Sequence, residues 1–125
     1  MKKNVKFRIV SDGAEGFFSR AREHARKLDE GEALEPEITI SFENPADMIR
    51  VLSAERIRLL KMAKKPSPVV ELANCLKRDT RAVSRDIDLL ENFGLLHSRY
   101  VPNPGHGRRR VVETRAAKYQ LVANI

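Results

Sequence analysis

LKRDTRAVSRDIDLLENFGLL, residues 76–96, has the pattern of a helix with one apolar side and one cationic side. Its apolar residues recur at helical spacing and predict a buried stripe. The stripe consists of Val83, Ile87 and Leu90. On the other side, Arg81 and Arg85 lie one turn apart with no acid between them. Because like charges at i and i+4 repel, this pair favours a face that meets an anionic partner.

Helix signals also precede this stretch. Asn44 and Pro45 are typical of an N-cap and a first helical position, so a short helix should follow them. Ser53 can cap a further helix over residues 53–64, which ends at the prolines of KKPSP. The sequence therefore predicts two short helices in succession.

Two more helices follow KKPSP. Ser67 and Pro68 are predicted to serve as cap and first position of a helix over residues 68–77, whose apolar residues recur at i, i+3, i+4 and i+7. The next helix is predicted over residues 79–92, and Gly94 is a plausible C′ residue that ends it. Two helices separated by so short a connection are typical of a helix-turn-helix.

The segment after Gly94 changes to short apolar runs, LLHSRYV and RVVETRA, around the loop PNPGHGRR. Pro, Asn and Gly between such runs predict an exposed hairpin loop. The sequence therefore predicts a two-stranded ribbon, a wing, over residues 95–115 with a basic tip. The candidate contact residues of the wing are His106, Arg108, Arg109 and Arg110.

The N-terminal part, residues 1–44, reads as strand, helix, strand. Apolar residues alternate with polar ones in both predicted strands. These residues are Val5, Phe7 and Ile9, then Ile38, Ile40 and Phe42. The helix between them, about residues 14–29, is amphipathic. Its apolar positions are Phe17, Phe18, Ala21, Ala25 and Leu28. The last residues, KYQLVANI, could form a final strand or a short helix.

Positive charge is concentrated towards the C-terminus. The net charge of +7 divides into −1 over residues 1–44, +3 over residues 45–75 and +5 over residues 76–125. A phosphate-rich polymer is the first partner that this suggests, and a merely soluble basic domain is the alternative. The chain contains no run of the roughly 20 uncharged apolar residues that are needed to cross a bilayer, so we expect a cytoplasmic protein. The single Cys75 is expected to be a small core residue.

The order of these elements predicts an α+β fold: a winged helix-turn-helix DNA-binding domain over residues 45–125 with a small N-terminal strand-helix-strand extension. We expect this extension, residues 1–44, to serve dimerisation or the binding of a partner. In such motifs the N-terminal half of the recognition helix enters the major groove. Four residues of this half project away from the apolar stripe: Thr80, Arg81, Ser84 and Arg85. Lys77 and Arg78, in the turn, are the predicted contacts to the DNA backbone. The alternative is that Arg81 and Arg85 are solvated, or paired with Asp88 or a neighbouring helix.

From about Asn44 to Tyr119 the chain resembles the MarR-like winged-helix transcriptional regulators. The resemblance lies in SAERIRLL, VVELANCLKRD, AVSRDIDLLENFGLL and the GHGRRR wing. ITISFENPADMIRVLS resembles a narrower group of small prokaryotic predicted regulators, often encoded beside toxin genes and proposed to be antitoxins. The resemblance implies a homodimeric, sequence-specific binder of double-stranded DNA, a repressor in our interpretation. Lys77 departs from the family pattern, in which the turn often has Gly.

The sequence does not favour an enzyme. Gly13 and Gly16 lack the Lys-Ser/Thr of a phosphate-binding loop, and no Ser/His/acid or Cys/His set suggests a nucleophile. The histidines His24, His97 and His106 lack metal-ligand spacing, so we predict no metal and no cofactor. RNA binding is disfavoured because the wing offers no aromatic set for base stacking beyond Tyr100. A different function remains open: a module whose residues 1–44 bind and neutralise a partner protein such as a toxin.

Overall fold

The protein is described here by a computed structural model, in which residues 6–32 and 37–125 are described. Its elements, in chain order, are β1 (Lys6–Val10), α1 (Gly13–Asp29), β2 (Glu37–Ser41), α2 (Pro45–Val51), α3 (Ala54–Met62), β3 (Ser67–Pro68), α4 (Val69–Leu76), α5 (Thr80–Asn92), β4 (Leu96–Pro102), β5 (Arg108–Thr114) and β6 (Tyr119–Val122). Among these helices, none is long and apolar enough to span a bilayer.

The chain divides into two compact units. One is Ser53–Ala117, and the other combines the described residues before Ser53 with Lys118–Ile125. This differs from the predicted boundary at residue 44. The helix α2 belongs to the N-terminal unit. The last strand belongs to it as well, because β6 pairs with β1 although more than 100 residues separate them in sequence. Long-range strand pairing of this kind leaves no local signal in the sequence.

The N-terminal unit is built on a parallel three-stranded sheet of order β2-β1-β6. The central strand is the most buried, with Phe7 1% and Ile9 0% exposed. The ring of Phe7 makes an edge-on contact with Tyr119 at 4.8 Å between centroids. The predicted strands and the helix between them are confirmed, and the C-terminal segment forms a strand. Val5, assigned to the first strand, lies outside the described residues.

The C-terminal unit has the predicted winged helix-turn-helix order. Helices α3, α4 and α5 are followed by an antiparallel sheet of order β3-β5-β4. The predicted stripe of α5 is its core, since Val83, Ile87 and Leu90 are each 0% exposed. Cys75, in contrast, is exposed, because it lies outside the buried stripe of α4, which consists of Val69, Leu72, Ala73 and Leu76. The α+β winged helix-turn-helix fold class is therefore confirmed.

Local capping signals are accurate at three helix ends. The side chain of Asn44 accepts a hydrogen bond from the backbone N–H of Asp47 at 2.9 Å, and Ser53 accepts one from Arg56 at 3.3 Å. At the end of α5, Gly94 has φ +77°. The N–H groups of Gly94 and Leu95 then donate to the carbonyls of Glu91 and Leu90 in a Schellman motif. These contacts satisfy backbone groups that helix ends leave free.

The predicted start of α4 is wrong. Ser67 and Pro68 do not cap the helix; they form the short strand β3, paired with Val112 and Val111. The Ser67 hydroxyl donates to the carbonyl of Lys65 at 2.8 Å, and Pro68, at the N-cap position, provides no side-chain acceptor. Pairing with the wing thus replaces capping, and the first N–H groups of α4 lack a side-chain cap.

The turn between α4 and α5 contains a left-handed lysine. Lys77 has φ +54° and ψ +46°, a conformation that costs a residue with a Cβ about 1–2 kcal/mol. Gly adopts it without that cost but loses more entropy on folding. We therefore expect Lys77→Gly to raise the free energy of unfolding by about 0.5–1 kcal/mol, measured by urea titration. Lys77→Ala removes the charge but keeps the Cβ, so equal effects of the two substitutions would contradict this explanation.

Candidate nucleic-acid interface

The side of α5 opposite its core stripe is cationic and open. Thr80, Arg81 and Arg85 are exposed, and Ser84 is half-buried. In the part of the chain that the structure describes, neither Arg81 nor Arg85 forms an ion pair. The pairing with Asp88 that the sequence left open is absent, because Asp88 pairs with Arg110 instead. The two arginines therefore present uncompensated positive charge on the N-terminal half of α5, where the helix dipole is also positive.

A half-buried ion network holds the start of α5 in place. Asp86, 8% exposed, accepts from Arg56 Nε at 3.1 Å and from Arg78 Nη1 at 2.7 Å. The other Nη of Arg78 lies 3.5 Å from a carboxylate oxygen of Glu55. The hydrogen bond with Asp86 raises the pKa of Arg78 above its ordinary value. The network ties α3 and the turn to α5.

This network changes the interpretation of Arg78. The sequence predicted a DNA backbone contact, but its guanidinium faces two carboxylates of its own domain. Lys77, the other predicted backbone contact, is exposed on the turn. Asp86 also pairs with Arg56 of α3. The sequence gave no signal for the pairing of Arg78, since an ion pair of this kind depends on tertiary geometry.

The wing ends in a defined turn. The His106 N–H donates to the Asn103 carbonyl at 2.8 Å, with Pro104 and Gly105 between them. Gly105 has φ +81°, which together with the preceding proline is typical of a type II turn. The Asn103 N–H donates to the Gly107 carbonyl at 2.8 Å and closes the hairpin. His106 is therefore exposed at the tip, immediately before the arginines of β5.

The three consecutive arginines of the wing are not equivalent. Side chains alternate between the two faces of a strand, so Arg109 lies on the face opposite Arg108 and Arg110. Arg108 and Arg109 are exposed. The side chain of Arg110 is only 17% exposed and reaches Asp88 at 2.9 Å and Glu91 at 3.0 Å. The tip thus carries exposed cations on both faces of the ribbon.

Arg110 joins the wing to the recognition helix. Its Nε donates to the Ser98 hydroxyl at 2.8 Å, and Ser98 in turn donates to Glu91. Burial lowers the pKa of Arg110, but the hydrogen bond to Asp88 and the neighbouring carboxylates outweigh burial and raise it. The sequence predicted Arg110 as a DNA contact, whereas the structure shows it neutralising two acids of α5. Strand alternation from the buried Val112 could have indicated this orientation.

A groove of about 490 Å³ runs between the wing and the start of α4. Its lining residues are Pro68, Val69, Val70, Glu71, Asn103, Arg108, Arg109 and Arg110. Free N–H groups at a helix start favour anions, and the first residues of α4 line this groove together with arginine side chains. Glu71 places one opposing charge in the lining. The groove is therefore cationic on its wing side and carries one acid on its helix side.

Similarity to solved structures is confined to part of the chain. A possible transcriptional regulator from Methanosarcina mazei Go1 is 16% identical, with a TM-score of 0.47 over 54% of this chain and 61% of that one. The chain thus spans about three fifths of that protein. A fragment of a possible transcriptional regulatory protein from Mycobacterium bovis is 17% identical, with a TM-score of 0.44 over 57% of this chain and 77% of that one.

A third similar structure is described as the homodimeric winged helix-turn-helix DNA-binding domain of a possible ArsR-family transcriptional regulator from Mycobacterium bovis. It is 16% identical, with a TM-score of 0.43 over 59% of this chain and 72% of that one. No curated protein matches the chain. The family model HVO_A0114 matches residues 51–115, which contain α3 to β5 and thus the whole helix-turn-helix and its wing. Since this match covers just over half of its length, the chain belongs to the HVO_A0114 family.

Proposed function

We propose that this protein is a transcriptional regulator that binds double-stranded DNA through α5 and its wing. One contrast supports the proposal most directly. Arg78 and Arg110 are neutralised by carboxylates, whereas Arg81 and Arg85, on the helix that the fold presents to a major groove, have no acidic partner in the described chain. The paired arginines are half-buried and bind acids of the fold, so Arg81 and Arg85 are the part of this cationic surface that is open to an anionic partner.

Each group of residues has a separate role in this proposal. Arg81 and Arg85 reach base edges, since a guanidinium can donate two hydrogen bonds to guanine. Thr80 and Ser84 supply hydroxyl contacts beside them. Lys77 contacts the backbone, and the wing residues contact flanking phosphates or the minor groove. These wing residues are His106, Arg108 and Arg109.

A mobility-shift titration tests the proposal. The full chain is titrated against the DNA upstream of its own gene and against scrambled DNA of equal length, at several salt concentrations. We expect site-preferring binding that weakens as salt rises, because released counterions contribute to the affinity. Binding with no preference between the two DNAs, or no binding at low salt, would count against a regulatory role.

The two kinds of wing arginine are expected to respond differently to salt. Arg109→Gln removes a phosphate contact, so the slope of log affinity against log salt should become shallower by about 1. Arg110→Gln removes a partner of Asp88 and Glu91, so the slope should stay unchanged although the affinity falls. Fluorescence anisotropy on one duplex measures both slopes.

Arg50→Gln is the matched control for this comparison. Arg50 is exposed on α2, outside the helix-turn-helix, the wing and helix α1, and its substitution should alter neither the slope nor the affinity. Equal changes of slope for Arg109→Gln and Arg110→Gln would show that both side chains neutralise phosphates, and would contradict the role assigned to Arg110.

The finer assignments remain proposals. A homodimer would place two copies of α5 on half-sites about one helical turn apart, or a multiple of that distance. MarR-like specificity, repression rather than activation, and a role as an antitoxin rest on the sequence resemblance. The second candidate function, binding of a partner protein through the N-terminal region, is favoured by the exposed apolar side chains of α1, among them Phe17 and Phe18.

A further inference from the structure

Helix α1 exposes the apolar face that its sequence pattern predicts to be buried. None of its residues is buried: Phe17 is 59%, Phe18 58% and Leu28 62% exposed. Ala21 and Ala25, between them on the same stripe, are exposed as well. Large aromatic side chains contribute much of the energy of protein interfaces, so an open stripe of this length favours an interaction surface.

The strand β2 lies beside this face. A cavity of about 350 Å³ is lined by Phe17, Ala21 and other residues of α1 and by Glu37, Thr39 and Ser41 of β2. Among the described strands, β2 pairs only with β1 and therefore forms an edge of the sheet. Its sequence, EITIS, contains neither the Lys nor the Pro with which edge strands commonly avoid pairing. The helix face and the strand edge thus form one continuous surface.

The direction of the backbone groups of β2 follows from one hydrogen bond. The Phe42 N–H donates to the Val10 carbonyl at 2.8 Å, so the backbone groups of Phe42 point towards β1. These groups alternate along a strand, and those of Ile38 and Ile40 therefore point the same way. The N–H and C=O groups of Glu37, Thr39 and Ser41 must then point outwards, along the open edge.

The edge is complementary to itself. In an antiparallel pair centred on Thr39, this residue exchanges both backbone hydrogen bonds with its own copy, and Glu37 does so with Ser41 of the copy. Ile38 then lies opposite Ile40 of the copy on the same face of the joined sheet. Thr–Thr and β-branched apolar pairs are favourable across strands, and the Glu37 carboxylates are not opposite each other.

We infer that β2 and α1 together form the surface through which two copies of this chain associate around a two-fold axis. The β2 strands join two three-stranded sheets into one of six. Neighbouring strands are about 4.8 Å apart and packed helices about 8–10 Å apart, so the two α1 helices come side by side on one face. The inference concerns the dimer named in the proposed function but does not depend on DNA binding.

The exposed area indicates the strength of this dimer. Phe17, Phe18 and Leu28 together offer roughly 300 Å² per copy, given that an aromatic side chain buries about 150–250 Å² when it is fully covered. The smaller specific interfaces bury about 600 Å² per partner or slightly less, so the strand edge and the two alanines must supply the remaining area. Interfaces of this size class belong mostly to weak complexes, and we therefore expect a dissociation constant in roughly the micromolar range.

Sedimentation velocity of the full chain from about 1 to 100 μM tests the inference. We expect the wild type to shift from monomer to dimer over this range. Thr39→Pro removes an outward N–H without touching the pairing with β1, and should give a monomer. Thr39→Ala keeps that N–H and should remain a dimer. Circular dichroism of each variant establishes whether it is folded.

A second pair of variants tests the same dimer interface even if Thr39→Pro does not fold. Phe18→Glu places a charge in the helix contact at a position 58% exposed, and should abolish the dimer. Ile49→Glu, 62% exposed on α2, is the matched control and should not. A monomeric wild type, or a dimer that survives Phe18→Glu, would overturn the inference. A wild type that stays monomeric and associates only with the product of a neighbouring gene would also overturn it. Loss of DNA binding in a chain that still dimerises would affect the proposed function alone.

Discussion

Arg81→Ala and Arg85→Ala should each lower the preference of the chain for its operator over other DNA by about 1–3 kcal/mol, roughly 5- to 150-fold. Both side chains are exposed on the N-terminal half of α5, above a core stripe that is 0% exposed. A truncated guanidinium no longer distinguishes guanine from other bases. The loss should therefore be large on the operator and smaller on unrelated DNA, to which the arginine contributes only its charge.

The measurement needs a defined site. An operator is first selected by the wild-type chain from random duplexes, and the affinities of each variant for that operator and for a scrambled duplex are then compared at one salt concentration. Arg109→Ala is the control, because a wing contact to phosphate should weaken both duplexes alike. Equal losses on both duplexes for Arg81→Ala would mean that α5 contributes charge without reading bases.

In the absence of DNA, neither Arg81→Ala nor Arg85→Ala should destabilise the fold. Arg81 and Arg85 are spaced i, i+4 and repel each other by a few tenths of a kcal/mol. Since no described residue forms an ion pair with either of them, removal of one should leave the free energy of unfolding unchanged or slightly higher. A variant that binds DNA poorly but unfolds no more easily than the wild type has lost a contact rather than its fold.

Local signals in the sequence were sufficient for most of the fold. The caps at Asn44 and Ser53, the stop at Gly94 and the spacing of the α5 stripe each depend on residues within one or two turns of each other. Such signals depend only on residues that are close in sequence, so they can be recognised in a single sequence without knowledge of the tertiary structure. The order of the resulting helices and strands then predicted the helix-turn-helix and its wing.

Features that depend on distant residues were predicted less well. Ser67 and Pro68 have the composition of a helix start, but pairing with β5 makes them a strand. Likewise β6 joins the N-terminal sheet, so the compact units divide after Leu52 and before Lys118 rather than at residue 44. In both cases a partner far along the chain outweighs the local preference, and periodicity gives no information about that partner.

The candidate site shows the same limit for charges. A sequence count gives equal weight to four arginines, Arg78, Arg81, Arg85 and Arg110. Among the described residues, carboxylates of the fold neutralise only Arg78 and Arg110. The charge pattern therefore identified the basic surface but overestimated how much of it is available to DNA. Strand alternation could have separated Arg110 from Arg109, whereas the pairing of Arg78 with Asp86 required the tertiary structure.

Asp86→Ala should produce the largest loss of stability among the polar substitutions considered, about 2–4 kcal/mol in the free energy of unfolding. Asp86 is 8% exposed and is shared by Arg56 and Arg78. Its removal leaves two half-buried guanidinium groups without their main carboxylate. The expected loss lies towards the lower side of the range for broken buried pairs because both arginine side chains retain some exposure to water, 25% and 21%.

A control variant and a double-mutant cycle distinguish the loss of this network from the effect that removing any negative charge has on stability. Asp88→Ala removes an exposed acid two residues away and should cost less than about 1 kcal/mol, although it too has an arginine partner. In the Asp86→Ala background, Arg78→Ala should cost much less than it does in the wild type, because its main partner is already absent. Additive losses would show that Arg78 and Asp86 act independently. The turn would then owe its position to the apolar core rather than to the ion pair, and DNA binding by α5 should survive Asp86→Ala.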